Sequence, residues 1–299
     1  MPRPTRIPLA VLAALMIVAP LAPGQAQDAA PPSTIPSLTA PSVPLPPAGD
    51  ITIHASASYA TDGKPIRSGL QWRVYEDRGG TSEPVLAARS TEPAPSFNLP
   101  PGNYIIHAAF GFAGASKRVT VQAGNIIERL PISAGALRLA GVVSEQPIPP
   151  GQISFSVYVP IGSNSEGRLV LSDARSGELI RLPEGTYHVV STYGDANSIM
   201  RADLKVETGR VTEATLHHRA ATVTLKLVAA PGGEAFAGTA FSVLTPGGDV
   251  IREAIGAFPS VTLAEGEYVF IARHDGQVYT REFKVESGLN RDIEIVTGR

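Results

Sequence analysis

The sequence predicts an all-β chain: three tandem small antiparallel β-sandwich domains after a signal peptide and a Pro-rich disordered spacer. Three observations carry that prediction. A Leu-x-x-Gly-x-Tyr motif is written three times at nearly equal spacing, apolar and polar residues alternate around each copy, and no stretch beyond the N-terminus shows a capped helical period.

The N-terminus is read first. Arg3 and Arg6 form a basic region, Leu9–Ala22 (LAVLAALMIVAPLA) is apolar and uncharged, and Gly24, Gln25 and Ala26 provide a cleavage site after Ala26. That is the order of a secretory signal peptide, residues 1–26. The apolar run is shorter than the roughly 18–20 residues of a comfortable membrane span, and Pro20 interrupts it. If the segment were left uncleaved, the protein would be a membrane-tethered stalk. Residues 27–50 are rich in Pro, Ala and Ser and read as a semi-rigid spacer.

The repeat begins at Ile51. The three motifs are "NLPPGNYIIH" from Asn98, "RLPEGTYHVV" from Arg181 and "TLAEGEYVFI" from Thr262. Their glycines, Gly102, Gly185 and Gly266, lie 83 and 81 residues apart (185 − 102 and 266 − 185). A second glycine follows in each copy: Gly124, Gly209 and Gly288. An aromatic landmark precedes each motif: Trp72, Phe155 and Phe241. The third copy is five residues shorter between landmark and Tyr, 27 against 32, which places a deletion in an intervening loop. The expected domains are 51–133, 134–219 and 220–299.

Within each copy, strands alternate with period 2, as in Tyr104, Ile106 and Ala108 or Tyr268, Phe270 and Ala272. With 29 Gly and 27 Pro and no helical crossover in view, antiparallel pairing is expected. The motif reads as a corner: Pro and Gly make the turn, with Gly at positive φ, while Leu and Tyr enter the core. The Tyr hydroxyl then reaches a backbone carbonyl, as in a tyrosine corner. Trp72, Phe155 and Phe241, each followed two residues later by Val, read as core. Tyr75 and Tyr158, on the opposite parity, read as exposed aromatic contacts. The connections "ISAGA" (Ile132–Ala136) and "HHRAA" (His217–Ala221) read as short linkers. Three units of about 30 Å would make a rod or bent chain on the order of 90 Å long.

"LPPGNYIIHAAFGFAGASKRVTVQAGN" resembles the carboxypeptidase-regulatory-like and Cna-B-type repeats, and the resemblance extends over Ile51–Val296. It implies a transthyretin-like or Ig-like sandwich of the kind used in stalks, adhesin segments and accessory modules. Pilin-type members form a Lys–Asn isopeptide bond assisted by an acid in the strand after the motif Tyr. Here those strands read "YIIHAAF", "YHVVSTY" and "YVFIARH" and hold no acid, so that crosslink is not expected.

Chemistry is weighed against these elements. Formal net charge is −2, or −4 after removal of Arg3 and Arg6, so nucleic acid is not an expected partner. There is no Cys, which excludes disulfides and thiol catalysis. The six histidines, His54, His107, His188, His217, His218 and His274, do not recur at one position and show no metal-ligand spacing, so they read as surface residues. "GSNSEG" (Gly162–Gly167) reads as a turn. "GDANS" (Gly194–Ser198), with Asp195 and Asn197 at a calcium-like spacing, reads as a solvated hairpin tip. No catalytic, cofactor-binding or metal residue is expected, and no cofactor. The expectation is a non-catalytic exported cell-envelope protein, periplasmic or secreted, acting as a spacer or binding module for protein or polysaccharide. Sheet edges would be available for an added partner strand. The contrasting expectation is a hydrolase or carbohydrate-active accessory protein with a site between domains, for which Tyr193–Asp203 is the nearest stretch.

Overall fold

The computed structural model describes residues 51–79, 83–122 and 124–298. The expected signal peptide (1–26) and spacer (27–50) lie outside the described residues. Those described form an all-β chain without a helix. Repeat 1 contains β1 (Ile51–Tyr59), β2 (Leu70–Glu76), β3 (Val85–Ser90), β4 (Ser96–Leu99), β5 (Gly102–Phe110), β6 (Ala113–Val121) and β7 (Ile126–Ile132). Repeat 2 contains β8 (Ala134–Val143), β9 (Gln146–Pro147), β10 (Ile153–Ile161), β11 (Asn164–Ala174), β12 (Leu179–Pro183), β13 (Gly185–Tyr193), β14 (Ser198–Val206) and β15 (Val211–His218). Repeat 3 contains β16 (Ala220–Val228), β17 (Thr239–Leu244), β18 (Val250–Gly256), β19 (Ser260–Ala264), β20 (Gly266–His274), β21 (Gln277–Val285) and β22 (Arg291–Val296).

Each repeat packs a four-stranded antiparallel sheet on a second sheet with a three-stranded path, to which repeat 2 adds the two-residue β9 beside β8. The four-stranded orders are β3-β2-β5-β6, β11-β10-β13-β14 and β18-β17-β20-β21, antiparallel throughout. The second sheets run β4-β1-β7, β12-β8-β15 and β19-β16-β22. In each of these the first and last strands of the repeat pair in parallel, as in Ile53 opposite Ile126 and Tyr59 opposite Ile132. A parallel pair usually needs a long, helical crossover, which is why antiparallel pairing alone is expected from the sequence. Here the crossover is the other sheet: the chain builds the whole opposite layer before its last strand returns beside its first.

The landmark residues fill the space between the layers. Trp72, Phe155 and Phe241 are buried, as are Val74, Val157 and Val243. The indole N–H of Trp72 donates to the Glu92 carbonyl at 3.0 Å, which satisfies its one polar atom. Tyr75 and Tyr158 are half-buried rather than exposed. By strand bounds, the five residues missing from repeat 3 fall on either side of β18, where 245–249 and 257–259 stand against 77–84 and 91–95 in repeat 1.

The motif forms the expected corner. Leu99, Leu182 and Leu263 are buried beside Tyr104, Tyr187 and Tyr268. Each Tyr hydroxyl donates to the carbonyl four residues earlier: Pro100 at 3.0 Å, Pro183 at 2.9 Å and Ala264 at 2.8 Å. The motif glycines differ from expectation. Gly102, Gly185 and Gly266 are not among the positive-φ residues; the second glycines, Gly124, Gly209 and Gly288, are, at 76°, 75° and 75°. The Tyr ring folds back along the motif glycine, tightly at Gly102 and at ordinary contact distance at Gly185 and Gly266. A Cβ at Gly102 would stand 3.3 Å from the Tyr104 ring, and one at Gly185 3.7 Å from that of Tyr187.

Tyr187→Phe removes the hydroxyl that donates to the carbonyl of the exposed Pro183. The expected loss is about 0.5–1.5 kcal/mol, read as a lower urea midpoint at unchanged slope. Phe155→Ala should cost about 3–5 kcal/mol by opening a cavity at a fully buried position.

Candidate functional site

The sequence-selected polar residues do not converge on a reactive centre. Among the described residues no group of three or more His, Asp or Glu is placed to hold a metal ion. His54 and His107 pair singly with Ser96 and Ser116, each at 2.8 Å. His217 is exposed, near Glu145 at 3.7 Å. His274 stacks on Phe236 with 5.0 Å between centroids.

Two histidines overturn the surface reading. His188 is buried against Asp203, with 2.6 Å between Nδ1 and Oδ1. His218 is buried in repeat 2, where Nε2 lies 2.5 Å from Ser191 Oγ and Nδ1 lies 2.9 Å from Ser198 Oγ. The ring of Tyr193 meets it edge-on at 5.8 Å. A Ser–His pair invites comparison with a nucleophile and its base. Ser191 is fully buried, however, so no substrate carbonyl reaches its hydroxyl, and the Nδ1 side holds a neutral Ser where a triad places a carboxylate. The arrangement satisfies buried polar atoms. Sequence parity correctly set His217 and His218 on opposite faces, but it could not show which face was covered.

The built feature is the joint between consecutive repeats. The expected linkers are strands: β7 passes into β8 through Ser133 alone, and β15 into β16 through Arg219 alone. Ala134 packs into the core of repeat 1, and Ala220 into that of repeat 2. The residue before the motif glycine ties down each junction: Glu184 N–H donates to Ser133 O at 3.1 Å, and Glu265 N–H to Arg219 O at 2.8 Å. In repeat 1 the corresponding residue is Pro101, which has no N–H to give.

A hairpin tip then locks each joint. The β5–β6 tip of repeat 1 reaches Arg181 of repeat 2, where Phe112 N–H donates to the Arg181 carbonyl at 3.0 Å. The β13–β14 tip of repeat 2 reaches Thr262 of repeat 3. The contact residues are Gly111 and Gly194, each nine residues after its motif glycine (111 − 102, 194 − 185), with φ of 65° and 73°. A Cβ on Gly111 would stand 2.6 Å from Arg181 Cβ, and one on Gly194 2.8 Å from Thr262 Oγ1. Both glycines are required twice, by backbone conformation and by close approach. In repeat 3 the same position (275 − 266) is Asp275, with φ of 47° and an exposed side chain.

The "GDANS" stretch is therefore part of a clamp rather than a solvated tip. Asn197 Nδ2 donates to the Tyr268 hydroxyl at 2.9 Å, and Asn197 Oδ1 accepts from Ala264 N–H at 3.0 Å. Asp195 pairs with Arg252 at 2.6 Å, and Arg219 with Glu265 at 2.7 Å. A second contact seats the end of the first strand: Tyr59 lies over Gly209 in one joint, and a Cβ on Gly288 would stand 2.8 Å from Ser144 Cβ in the other.

The sheet edges are unequal. On one flank side chains bridge the two layers: Lys117 to Glu128 at 2.6 Å, Thr212 to the Lys205 carbonyl at 2.8 Å, and Arg281 to the Glu294 carbonyl. On the other flank β3, β11 and β18 carry exposed Val85, Leu86, Leu169, Val250 and Ile255.

Residues 222–297 match the model of the Rhizobiales growth-associated tandem repeat domain. No curated protein matches the chain. Solved structures that resemble it include the TIE protein of Bacillus anthracis, at 15% identity over 83% of this chain with a TM-score of 0.25. The chain spans only 50% of that protein's length. A minor pilin of Streptococcus agalactiae is 15% identical over 57% of this chain and 95% of its own, with a TM-score of 0.31. The major pilin subunit of Bacillus cereus is 9% identical over 83% of this chain and 98% of its own, with a TM-score of 0.22.

Two outcomes test the site's construction. Gly194→Val places a branched side chain at positive φ against Thr262. It should loosen the joint between repeats 2 and 3 and split a single unfolding transition in calorimetry, while Thr192→Val on the neighbouring strand leaves it single. The second concerns pH. Burial holds the His218 imidazole below the ordinary histidine value, and burial with the Arg73 charge does the same at His107. The unfolded chain therefore binds more protons once pH falls below about 6.5. Stability should be full above that pH and fall as pH drops through the folded-state values. His218→Gln should flatten part of that slope in urea midpoints measured between about pH 7.5 and 5.

Proposed function

We propose that the protein is a non-catalytic, exported component of a cell envelope, periplasmic or secreted, in which three sandwich units of the carboxypeptidase-regulatory-like or Cna-B type serve as a spacer and binding module. The single observation that carries this reading is the pair of locked joints. Glycine latches, strand-to-strand junctions and the Asn197 clamp hold consecutive repeats in a defined relation, which is what a spacer needs and a lone soluble domain does not. The signal-like segment 1–26 supports export, and the match of residues 222–297 to a domain described as a growth-associated tandem repeat supports the reading of the chain as an array. The units 51–133, 134–219 and 220–299 would be the folding modules of this array. The unfilled flank at β3, β11 and β18 supports recognition of a protein or polysaccharide partner.

Three measurements test the proposal. Mass spectrometry of the exported protein should find an N-terminus at Gln27; retention of Arg3 and Arg6 would point instead to a membrane tether. Solution scattering of the mature chain should give an elongated particle, and a compact sphere would count against a spacer. A pull-down from envelope extract with the mature chain should retain a partner that the Gly194→Val protein holds less well.

A further inference from the structure

The two joints share one architecture but not one electrostatic character. At the joint of repeats 2 and 3, the surface groove is lined by Arg219 together with Glu265, and these two pair with each other. At the joint of repeats 1 and 2, a cleft of about 170 Å³ is lined by Arg67, Arg181 and Arg210 with Tyr59, Ser68 and Phe110, and no Asp or Glu lines it. Arg210 pairs with Glu207 at 3.0 Å. Neither Arg67 nor Arg181 has an ion pair with a carboxylate among the described residues.

Arg181 is held in place. Its carbonyl accepts the Phe112 N–H, its Cβ lies where Gly111 has no side chain, and its guanidinium sits over the Phe110 ring at 4.9 Å. Gly69 makes room for the same guanidinium: a Cβ there would stand 3.2 Å from Cζ. Two glycines and an aromatic ring thus seat one guanidinium that has no carboxylate partner. A fixed, unpaired guanidinium is a prepared site for a planar oxyanion, which it binds in a two-pronged fashion. The rest of the chain is net acidic, so attraction for a polyanion is local to this cleft. Phe110 is covered by Arg181, which leaves the half-buried Tyr59 and the exposed Ser68 hydroxyl to meet a sugar ring beside the guanidinium.

We propose that the cleft between repeats 1 and 2 binds an acidic sugar of an envelope polysaccharide, its carboxylate or phosphate held by Arg67 and Arg181. This rests on the binding-module reading above and names its ligand class. The test is calorimetric titration of the mature chain with galacturonic acid oligomers, with dextran, inorganic phosphate and poly-glutamate as comparisons. Binding should be seen for the galacturonate oligomer, should weaken with added salt, and should be absent for dextran. Arg67→Gln, on the exposed rim, should weaken it about tenfold with unchanged melting behaviour. Arg181→Lys, which keeps the charge and the stem but not the fork, should weaken it by a similar factor. Absence of galacturonate binding, wild-type affinity in both variants, or equal binding of dextran or poly-glutamate would overturn the proposal. So would phosphate displacing the oligomer at equal concentration. If the pull-down retains a protein partner while the titration fails, the acidic-sugar assignment falls and the binding-module reading stands.

Discussion

A tyrosine hydroxyl bonded to the carbonyl four residues before it closes the corner of every repeat, and in repeats 2 and 3 that corner is where both sheets and the preceding repeat come together. The bond closes the turn that separates the second sheet from the four-stranded antiparallel one. Its ring, folded along the motif glycine, seals the end of the core. Because the turn is closed in one geometry, the residue before the glycine points its N–H at the junction in repeats 2 and 3. The strand before the turn presents Arg181 or Thr262 to the preceding repeat's hairpin. Tyr268 shows the dependence most directly, since the hydroxyl that donates to Ala264 also accepts from Asn197 of the repeat before. Corner and joint are one hydrogen-bonded unit there.

The joints follow from a demand for close approach. Antiparallel hairpin tips are normally solvated, and a side chain at the tip costs nothing. Here the tip must lie against another backbone, and only hydrogen at Cα leaves the space. In the third repeat Asp275, with an exposed carboxylate, occupies the latch position. The two internal joints also differ in what surrounds the latch. One is filled with reciprocal bonds and ion pairs. The other keeps an arginine-lined cleft, and that asymmetry makes it the more informative surface.

Much of the architecture was legible in the residues. Period-2 alternation, the three aligned aromatics and the Leu-x-x-Gly-x-Tyr spacing identify the strands, the core and the tyrosine corner, because burial on one face of a strand imprints itself locally. The parallel ladders were not legible, since the strands that pair are separated by a whole repeat and their own alternation is the same in either direction. Residue type alone suggests a left-handed turn at the motif glycine, whereas all three have negative or extended φ and lie along their own Tyr ring, tightly only at Gly102. Nothing in the sequence marks His188 and His218 as buried, because a single His in a strand carries no sign of which sheet face will be covered.

The sequence by itself determined that the described chain is built of three alike, two-layered β units with buried aromatic and tyrosine positions, because those features depend on neighbours within a few residues. Only the tertiary structure decided that "GDANS" is a clamp, that Gly111 and Gly194 are latches, and that Arg67 and Arg181 share a cleft. Those properties arise between residues some 70 to 115 positions apart in sequence (181 − 111, 262 − 194, 181 − 67), where nothing local distinguishes a solvated hairpin tip from one pressed against the next domain.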